Sequence, residues 1–289
     1  MITYLQLLLT TIFWAATFHF GKYAVGLMPP LGVSMWRFLL AGAVLLPLML
    51  LREPIAWAAL RRNAWPLLIM GVVGNFGFNA GMFYGLQYTS AVNASLITAL
   101  NPALIVVLAA WLHRESIGGR RLLGLLLGIA GVIVVVTRGS WSVLRELEFS
   151  RGDLMLLGGC CCWATYSVIP RLYIRGLGAL QIAGATILIG VLAMIGFGAV
   201  AAPEALVLPP ANAWAALVFM GVCGAALAYI WWNQGVARVG PQRTAIFLNL
   251  SPVFTALMGV ALGQSITPAQ VAGALLVIAG VLTASLAAS

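Results

Sequence analysis

Aromatic and hydroxyl side chains recur along one side of two apolar segments of this chain. In the first segment, Trp14, Thr17 and Phe18 have the i, i+3, i+4 spacing that places side chains on one helical face. In the second segment, Trp163 and Tyr166 stand at the matching positions 149 residues later. Such rings stack on flat molecules and attract cations. We expect the two stripes to line a path for small solutes; the alternative is packing between helices.

Amide side chains lie in two other apolar segments. Asn75 and Asn79 are one helical turn apart. The corresponding later region contains Tyr229, Trp231, Trp232, Asn233 and Gln234. An amide in hydrocarbon must find a partner, so these side chains should face the helix bundle or a wet cavity. Whether they hold helices together or bind a solute stays open. Trp231 and Trp232 point about 100° apart, so at most one of them faces the path, and we assign Trp232 to it.

Two further apolar segments contain a proline beside hydroxyl and amide side chains. One segment has Thr98, Asn101 and Pro102, and the other has Asn249, Ser251 and Pro252. Proline removes a backbone hydrogen bond from a helix. The freed carbonyl either bonds a nearby side chain or is offered to a substrate, and the helix gains a bend. We predict hinges beside a substrate site at Thr98, Asn101 and Ser251, with packing kinks as the alternative.

Three basic groups lie inside the apolar segments. Lys22, at the end of the first segment, is expected to extend towards the membrane interface. His19 is expected to face the bundle and be hydrogen-bonded. Arg37 is predicted to hold helix ends through backbone carbonyls rather than to bind substrate. No Asp or Glu falls in mid-segment, so the carboxylate relay that proton-coupled carriers usually keep there is not expected.

The chain lacks the motifs of a membrane-embedded enzyme. It has neither H-E-x-x-H nor G-x-S-x-G, and its two histidines are His19 and His113. The cysteines are Cys160, Cys161, Cys162 and Cys223. Three in a row point in three directions, which suits neither a disulfide framework nor a metal site. We expect small buried hydrophobes, no metal, no cofactor and no enzymatic activity.

The composition is that of an integral membrane protein. The chain is 63% hydrophobic and 7% charged, against about 25% charged in soluble domains. Its first segment has no basic leader and no A-x-A-like site, so we expect it to be retained. A membrane-spanning helix needs roughly 20 apolar residues, and the sequence contains apolar segments of about that length. They predict an all-α polytopic membrane protein with ten transmembrane helices, at 4–26, 31–51, 64–86, 91–112, 121–138, 153–173, 178–200, 212–235, 242–263 and 268–287.

The net charge of +9 is distributed unevenly between the two sides that these helices define. One side, which holds both termini, carries ten arginines: Arg52, Arg61, Arg62, Arg114, Arg120, Arg121, Arg171, Arg175, Arg238 and Arg243. The other has three, diluted by acids: Arg138, Arg145 and Arg151 beside Glu146, Glu148 and Asp153. The positive-inside rule then predicts cytoplasmic termini. The basic charge therefore indicates topology rather than nucleic-acid binding.

The sequence repeats itself at half its length. "GLLLGIAGV" at 124–132 and "GALLVIAGV" at 273–281 share seven of nine residues, and Trp14 pairs with Trp163 as Pro102 does with Pro252. We therefore predict two five-helix repeats, 1–140 and 150–289. Units with an odd number of helices enter the membrane from opposite sides, so the repeats should be inverted about an axis in the membrane plane. Two equivalent faces are what alternating access requires.

"YTSAVNASLITALNPAL", "RESIGGRRLLGLLLGIAGV" and "LNLSPVFTALMGVALGQSITPAQVAGALLVIAGV" resemble the drug/metabolite transporter superfamily, in particular its EamA-type ten-helix exporters. The resemblance covers nearly the whole chain and is strongest to the YddG group of aromatic amino-acid exporters. It implies a bacterial inner membrane and export of aromatic and other hydrophobic amino acids. Where the family often has Gly-Glu after the fourth and ninth helices, this chain has Arg114-Glu115 and Gly263-Gln264.

The leading hypothesis is an exporter of small neutral or zwitterionic metabolites that works by alternating access. The alternative within the superfamily, an organic-anion or sugar-phosphate transporter, needs several cavity-facing cations, and Lys22 and Arg37 are the available candidates. A structural scaffold would not explain polar stripes repeated in both halves, and a channel would show flux too fast to saturate. The expected partners are a small-molecule substrate and the lipid bilayer, with no nucleic acid, for a protein expected to be a monomer.

Overall fold

A computed structural model describes residues 2–52, 54–113, 119–136, 139–140, 150–240, 244 and 247–285. Within these ranges, seven helices are long and apolar enough to cross a membrane, and three further apolar helices are shorter. The predicted all-α polytopic class is confirmed. The ten apolar helices of the described ranges are α1 (Ile2–Val25), α2 (Pro30–Arg52), α3 (Ala64–Tyr88), α4 (Ala91–Leu112), α5 (Gly119–Val136), α6 (Arg151–Tyr173), α7 (Ala179–Ala201), α8 (Ala211–Val239), α9 (Ser251–Ala261) and α10 (Pro268–Ser285).

Several residues named in the sequence analysis lie outside the described part of the chain. They are Arg114, Glu115, Arg138, Arg145, Glu146, Glu148 and Arg243, together with the side chains of His113, Arg121, Arg171 and Asn249.

Helices α1 and α6 run in opposite directions. At the end of α1, Lys22 Nζ donates to the carbonyl of Leu86, near the end of α3, at 2.6 Å. At the start of α6, Gly152 packs so closely on Gly85 of α3 that a Cβ on Gly85 would lie 2.8 Å from the Gly152 carbonyl oxygen. The end of α1 and the start of α6 therefore share one face of the bundle, which we call the far face.

The opposite face, where α1 begins, is called the N-terminal face. There Asn63 Nδ2, just before α3, donates to the carbonyl of Arg175, just after α6, at 2.9 Å. Arg238, near the end of α8, donates to Thr3 at the start of α1 at 3.4 Å. Corresponding helices of the two halves are thus inverted relative to each other.

The main helix contacts come in matched pairs. α1 packs on α8, and its counterpart α6 packs on α3. In the same way, α2 packs on α8 and α7 on α3, and α1 packs on α9 and α6 on α4. Two equivalent helices contact each other directly in the pairs α2–α7 and α5–α10. A spacing of 149 residues maps α2 onto α7, both 23 residues long. We propose on this basis that residues 1–140 and 150–289 are the two repeats.

Helices α3 and α8 each contain a π-helical segment, Met70–Gly77 in α3 and Val222–Leu227 in α8. Close glycine contacts lie at both. A Cβ on Gly224 would stand 2.5 Å from Thr17 Oγ1, and one on Gly74 would stand 2.7 Å from the Cβ of Tyr166. Thr17 and Tyr166 are equivalent residues, so both repeats press the same helix face against the other half.

Regular α-helix is interrupted just upstream of the prolines of α4 and α9. A turn at Ala99–Leu100 interrupts α4 just before Asn101 and Pro102. A 3₁₀ turn at Phe247–Leu250 precedes Ser251 and Pro252, which begin α9. Proline fits the first turn of a new helix, but it has no N–H to donate to the carbonyl four residues earlier, which accounts for the break upstream of each proline.

The cysteine prediction holds only for Cys160. Cys160 is buried, but Cys161 is exposed, and Cys162 and Cys223 are half-buried. Residues about 100° apart on a helix cannot all face the bundle interior, so the triplet reaches its outer surface. That surface is apolar elsewhere too, as at Val200, which is 89% exposed.

Candidate functional site

A cavity lies in the middle of the bundle, between the two halves. Its empty space, including the part that opens to solvent, is about 510 Å³. Helices α1, α2, α3, α4, α6 and α8 and the start of α9 build it. It is lined by Trp14, Thr17, Phe18, Arg37, Phe78, Met82, Thr98, Asn101, Trp163, Tyr229, Leu248 and Ser251.

The structure brings together eight of the twelve residues predicted to bind substrate. These eight are Trp14, Thr17, Phe18, Thr98, Asn101, Trp163, Tyr229 and Ser251. The other four are buried outside the lining, and they are Asn75, Asn79, Tyr166 and Trp232.

Trp163 is the hub of an aromatic cluster. Its ring centroid lies 5.1–5.9 Å from those of five others: Trp14, Phe78, Tyr166, Tyr229 and Trp232. It stacks on Tyr166 at an interplanar angle of 10° and meets Trp14 edge-on at 85°. Packed rings hold one another in fixed orientations. The cavity therefore has a rigid aromatic side.

Tyr166 supports this cluster from outside the lining. Its hydroxyl lies 3.5 Å from Thr186 Oγ1 and accepts a hydrogen bond from Asn233 Nδ2 at 3.3 Å. Asn233 also donates to the carbonyl of Tyr229 at 2.8 Å. This network links α6, α7 and α8, so Tyr166 positions Trp163 rather than bordering the cavity.

Arg37 contributes to the cavity although the sequence analysis did not place it there. The side chain is 1% exposed. Its guanidinium donates to Asn79 Oδ1 at 3.3 Å and to the Gly224 carbonyl at 3.1 Å, and it lies over the rings of Phe38 and Phe83. The predicted bond to a backbone carbonyl is present, but it lies inside the bundle, beside the cavity. Among the described residues, Nε has no hydrogen-bond partner.

One carbonyl of α8 fixes two cavity residues at once. Gly224 accepts from Arg37 and, at 3.0 Å, from the indole Nε1 of Trp14. Gly224 lies in the π-helical segment, and such segments alter the regular helical hydrogen-bond pattern. This irregularity of α8 makes a backbone acceptor available at the cavity, and the sequence does not show which carbonyl it is.

The two asparagines of α3 have different roles. Asn79 donates to the carbonyl of Asn75 at 2.8 Å and accepts from Arg37, so it orients the cation. Neither amide atom of Asn75 has a partner among the described residues. On the cavity itself, Asn101 Oδ1 also lacks one, and the Tyr229 hydroxyl lies near Asn79 and Arg37 without a hydrogen bond of normal geometry.

The sequence-based prediction also omitted three apolar residues of the lining, which are Phe78, Met82 and Leu248. Phe78 and Met82 follow Asn75 at i+3 and i+7, so extending the Asn75 and Asn79 stripe along one face would have found them. Leu248 lies in the turn before α9. No pattern in the sequence distinguishes it from the leucines that face lipid.

The remaining basic groups tie helices together near the far face. Lys22 donates to the last carbonyls of α3, at 2.6 Å to Leu86 and 3.3 Å to Gln87. His19 Nε2 lies 2.8 Å from the Thr255 carbonyl of α9, which is the bundle-facing, hydrogen-bonded state predicted for it. Within the described ranges, no group of three or more His, Cys, Asp or Glu could hold a metal ion.

A second cavity of about 870 Å³ lies between α3, α4 and α6. It is open towards the outer surface of the bundle, because Trp65 and Trp111 at its edge are 71% and 73% exposed. Thr165 and Tyr173 contribute the hydroxyl groups of its described lining, and the other lining residues are aliphatic or aromatic. It resembles a lipid-facing groove more than a site that orients a polar solute.

The family model described as the EamA-like transporter family matches the chain twice, at residues 1–137 and 150–286. An uncharacterized transporter of Bacillus subtilis, YyaM, is 40% identical over 98% of this chain and 93% of its own. The aromatic amino acid exporter YddG of Ancylobacter novellus is 27% identical over 88% of this chain and 86% of its own. One solved structure shares the fold with a TM-score of 0.71 at 24% identity, covering 99% of this chain and 98% of that one. The chain therefore belongs to the EamA-like transporter family of multi-pass membrane proteins.

Proposed function

We propose that this transporter exports small zwitterionic metabolites, chiefly aromatic and other hydrophobic amino acids, by alternating access. The observation that carries the proposal is the cavity between the halves, where the aromatic cluster around Trp163 meets a polar lining that includes Arg37 and Asn101. An aromatic amino acid presents a ring to the first and charged groups to the second. The similarity to an aromatic amino acid exporter supports the same substrate class.

The inverted halves support the transport mechanism. Since each main contact between helices has a counterpart, a rocking motion that opens one face has an equivalent that opens the other. The breaks before Asn101 and Ser251 lie in the cavity lining, where a change of helix angle alters access directly. The substrate is then exposed first to one side and afterwards to the other.

We propose a bacterial inner-membrane location with both termini in the cytoplasm. The arginine distribution supports this orientation, because it places Arg52, Arg62, Arg175 and Arg238 at the N-terminal face or the helix ends that meet there. A reporter that is active only in the periplasm, fused after Ser289, should be silent. Activity of that fusion would reverse the orientation.

The test of function is counterflow with the purified protein in liposomes. Vesicles preloaded with unlabelled phenylalanine should accumulate external labelled phenylalanine above its equilibrium level, then lose it again. The uptake should saturate, and among twenty amino acids used as competitors the aromatic and larger aliphatic ones should inhibit most. Absence of accumulation with phenylalanine and with every member of the panel would reject the proposal.

A second candidate, transport of an organic anion or sugar phosphate, draws support from the buried cation at Arg37. The same vesicles distinguish the two. If phenylpyruvate or glucose 6-phosphate inhibits phenylalanine counterflow more strongly than phenylalanine itself, the anion is the better substrate. Arg37 is the one cation in the described cavity lining, whereas phosphate recognition usually draws on more donors.

A further inference from the structure

Arg37 is a buried cation whose described contacts leave part of its binding capacity unused. Two of its three nitrogens donate to neutral acceptors, Asn79 and Gly224, and Nε has no partner in the described structure. The chain has six acidic residues, and no described one forms an ion pair with the guanidinium. A charge inside a membrane protein is costly and usually marks a solute pathway. The cavity next to Arg37 is where a counter-charge can enter.

A second donor lies beside it. The Tyr229 hydroxyl lies near Arg37 and Asn79 and lines the same cavity. Among the described residues it makes no hydrogen bond of normal geometry. A carboxylate accepts several hydrogen bonds and prefers charged donors such as guanidinium. Arg37 and Tyr229 together offer what one carboxylate group requires.

An unused acceptor stands elsewhere on the lining. Asn101 Oδ1, at the break in α4, is buried without a described partner. An ammonium group has three donors and no acceptor, so it can bond this oxygen. Trp163 and Trp14 then remain for the side chain of the solute.

We propose that Arg37, with the Tyr229 hydroxyl, is the carboxylate-binding site of the transporter, and that Asn101 accepts from the substrate ammonium. This inference rests on the proposed function and narrows it: the substrate must carry a carboxylate, and amines of equal size and ring content are excluded. Substrate binding supplies the anion that the buried guanidinium lacks. Asn79 acts as a positioning residue, because it reaches the solute only through Arg37.

The test compares competitors in phenylalanine counterflow with the unaltered protein. L-Phenylalanine, L-phenylalaninamide, phenethylamine and 3-phenylpropionate share the ring and differ in their charged groups. Removal of the carboxylate, in the amide or the amine, should weaken inhibition about tenfold or more, the range of a lost charge-assisted hydrogen bond. Removal of the ammonium, in phenylpropionate, should weaken inhibition less, because Asn101 is a neutral acceptor.

Two variants and one control locate the effect. Arg37→Gln should reduce the preference for phenylalanine over phenethylamine to near onefold, and Arg37→Lys, which keeps the charge without the guanidinium geometry, should leave an intermediate preference. Lys22→Gln removes one positive charge outside the cavity and should leave the preference unchanged. A structural role of Arg37 would lower the amount of folded protein without changing this ratio.

The outcomes separate the two proposals. If the unaltered protein shows no counterflow of phenylalanine or any other amino acid, the proposed function fails and this inference fails with it. If counterflow occurs but phenethylamine competes as well as phenylalanine, the carboxylate site alone is rejected. That comparison needs no variant, so it decides the matter even if Arg37→Gln and Arg37→Lys do not fold.

Discussion

Arg37 in α2 and Thr186 in α7 occupy equivalent positions 149 residues apart. Both are completely or almost completely buried. Arg37 extends to α3 and α8, where it bonds Asn79 and Gly224. Thr186 instead bonds the Ile182 carbonyl of its own helix at 2.8 Å and touches the Tyr166 hydroxyl. One backbone framework thus holds a cation in the first half and a small hydroxyl in the second.

The difference shows how a symmetric fold makes an asymmetric site. Four of the six hydroxyl, amide or cationic side chains in the described lining come from the first half, which supplies Thr17, Arg37, Thr98 and Asn101 against Tyr229 and Ser251. The hub of the aromatic cluster, Trp163, comes from the second half. We infer that the first half supplies most of the groups that bind the charged end of the substrate, joined by Tyr229 of the second half. The side chain of the substrate is bound chiefly by Trp163 of the second half, with Trp14 of the first beside it. The following changes test that division.

Thr186→Arg should have the largest effect. The substitution buries a cation in the second half, at the position equivalent to Arg37 in the first half. No described carboxylate is available to pair with it. A charged residue at a helix centre costs about 2.5–3.5 kcal/mol on insertion scales, so we expect little folded protein in detergent by size-exclusion chromatography. Thr186→Val, the matched control, loses the hydroxyl contacts with the Ile182 carbonyl and Tyr166 but buries no charge, and it should keep most of the yield. Normal yield and melting temperature for Thr186→Arg would show that the second half tolerates a cation equally well.

Trp163→Ala should impair aromatic substrates more than small aliphatic ones. Loss of ring contacts costs about 0.5–1.5 kcal/mol beyond lost area, so labelled phenylalanine counterflow should fall roughly two- to tenfold more than alanine counterflow. Trp36→Ala is the control, since Trp36 pairs with Trp214 at 5.6 Å, outside the cavity lining. An equal loss for both substrates at normal expression would make Trp163 a packing residue.

The two buried tyrosines should respond differently to loss of their hydroxyls. Tyr166→Phe removes bonds to Thr186 and Asn233 and should lower stability by about 0.5–1.5 kcal/mol, with the phenylalanine-to-phenethylamine preference unchanged. Tyr229→Phe removes a hydroxyl that has no hydrogen bond of normal geometry in the described part of the chain, and it should reduce that preference with less effect on stability. Melting temperature and competition, measured on both variants, check the contrast. If Tyr166→Phe instead lowers the preference and Tyr229→Phe mainly lowers the melting temperature, then Tyr166 contacts the substrate and Tyr229 has the structural role.

The smallest expected effect concerns protons. His19 is bound to a backbone carbonyl of α9 near the far face, and no described Asp or Glu lines the cavity. We predict that net phenylalanine movement follows its own gradient at equal pH and that an imposed pH step leaves its rate nearly unchanged. His19→Ala should behave the same way in that assay. If net transport instead requires the imposed pH difference, the protein is not a facilitator that moves phenylalanine down its own gradient, and His19 becomes the candidate proton carrier.

The sequence predicted the helices well because a membrane span has a fixed length and a strong apolar signal. It also located most of the cavity, because polar and aromatic groups stand out on apolar helices. It failed where geometry depends on helix irregularity. The carbonyl that Gly224 offers to Arg37 comes from a π-helical segment that no residue pattern announces, so Arg37 was assigned to helix ends. Leu248 was missed because a cavity-facing leucine and a lipid-facing one look alike in sequence.

The most direct test of the account is a structure of the protein with 4-bromo-L-phenylalanine bound. Anomalous scattering locates the bromine without relying on the shape of the density. We expect the bromine beside Trp163 and the carboxylate against Arg37, in the cavity between the halves. Bromine in the groove lined by Trp65, Trp111 and Tyr173, or a ring placed against Arg37 with the carboxylate at Trp163, would contradict the division between the two halves.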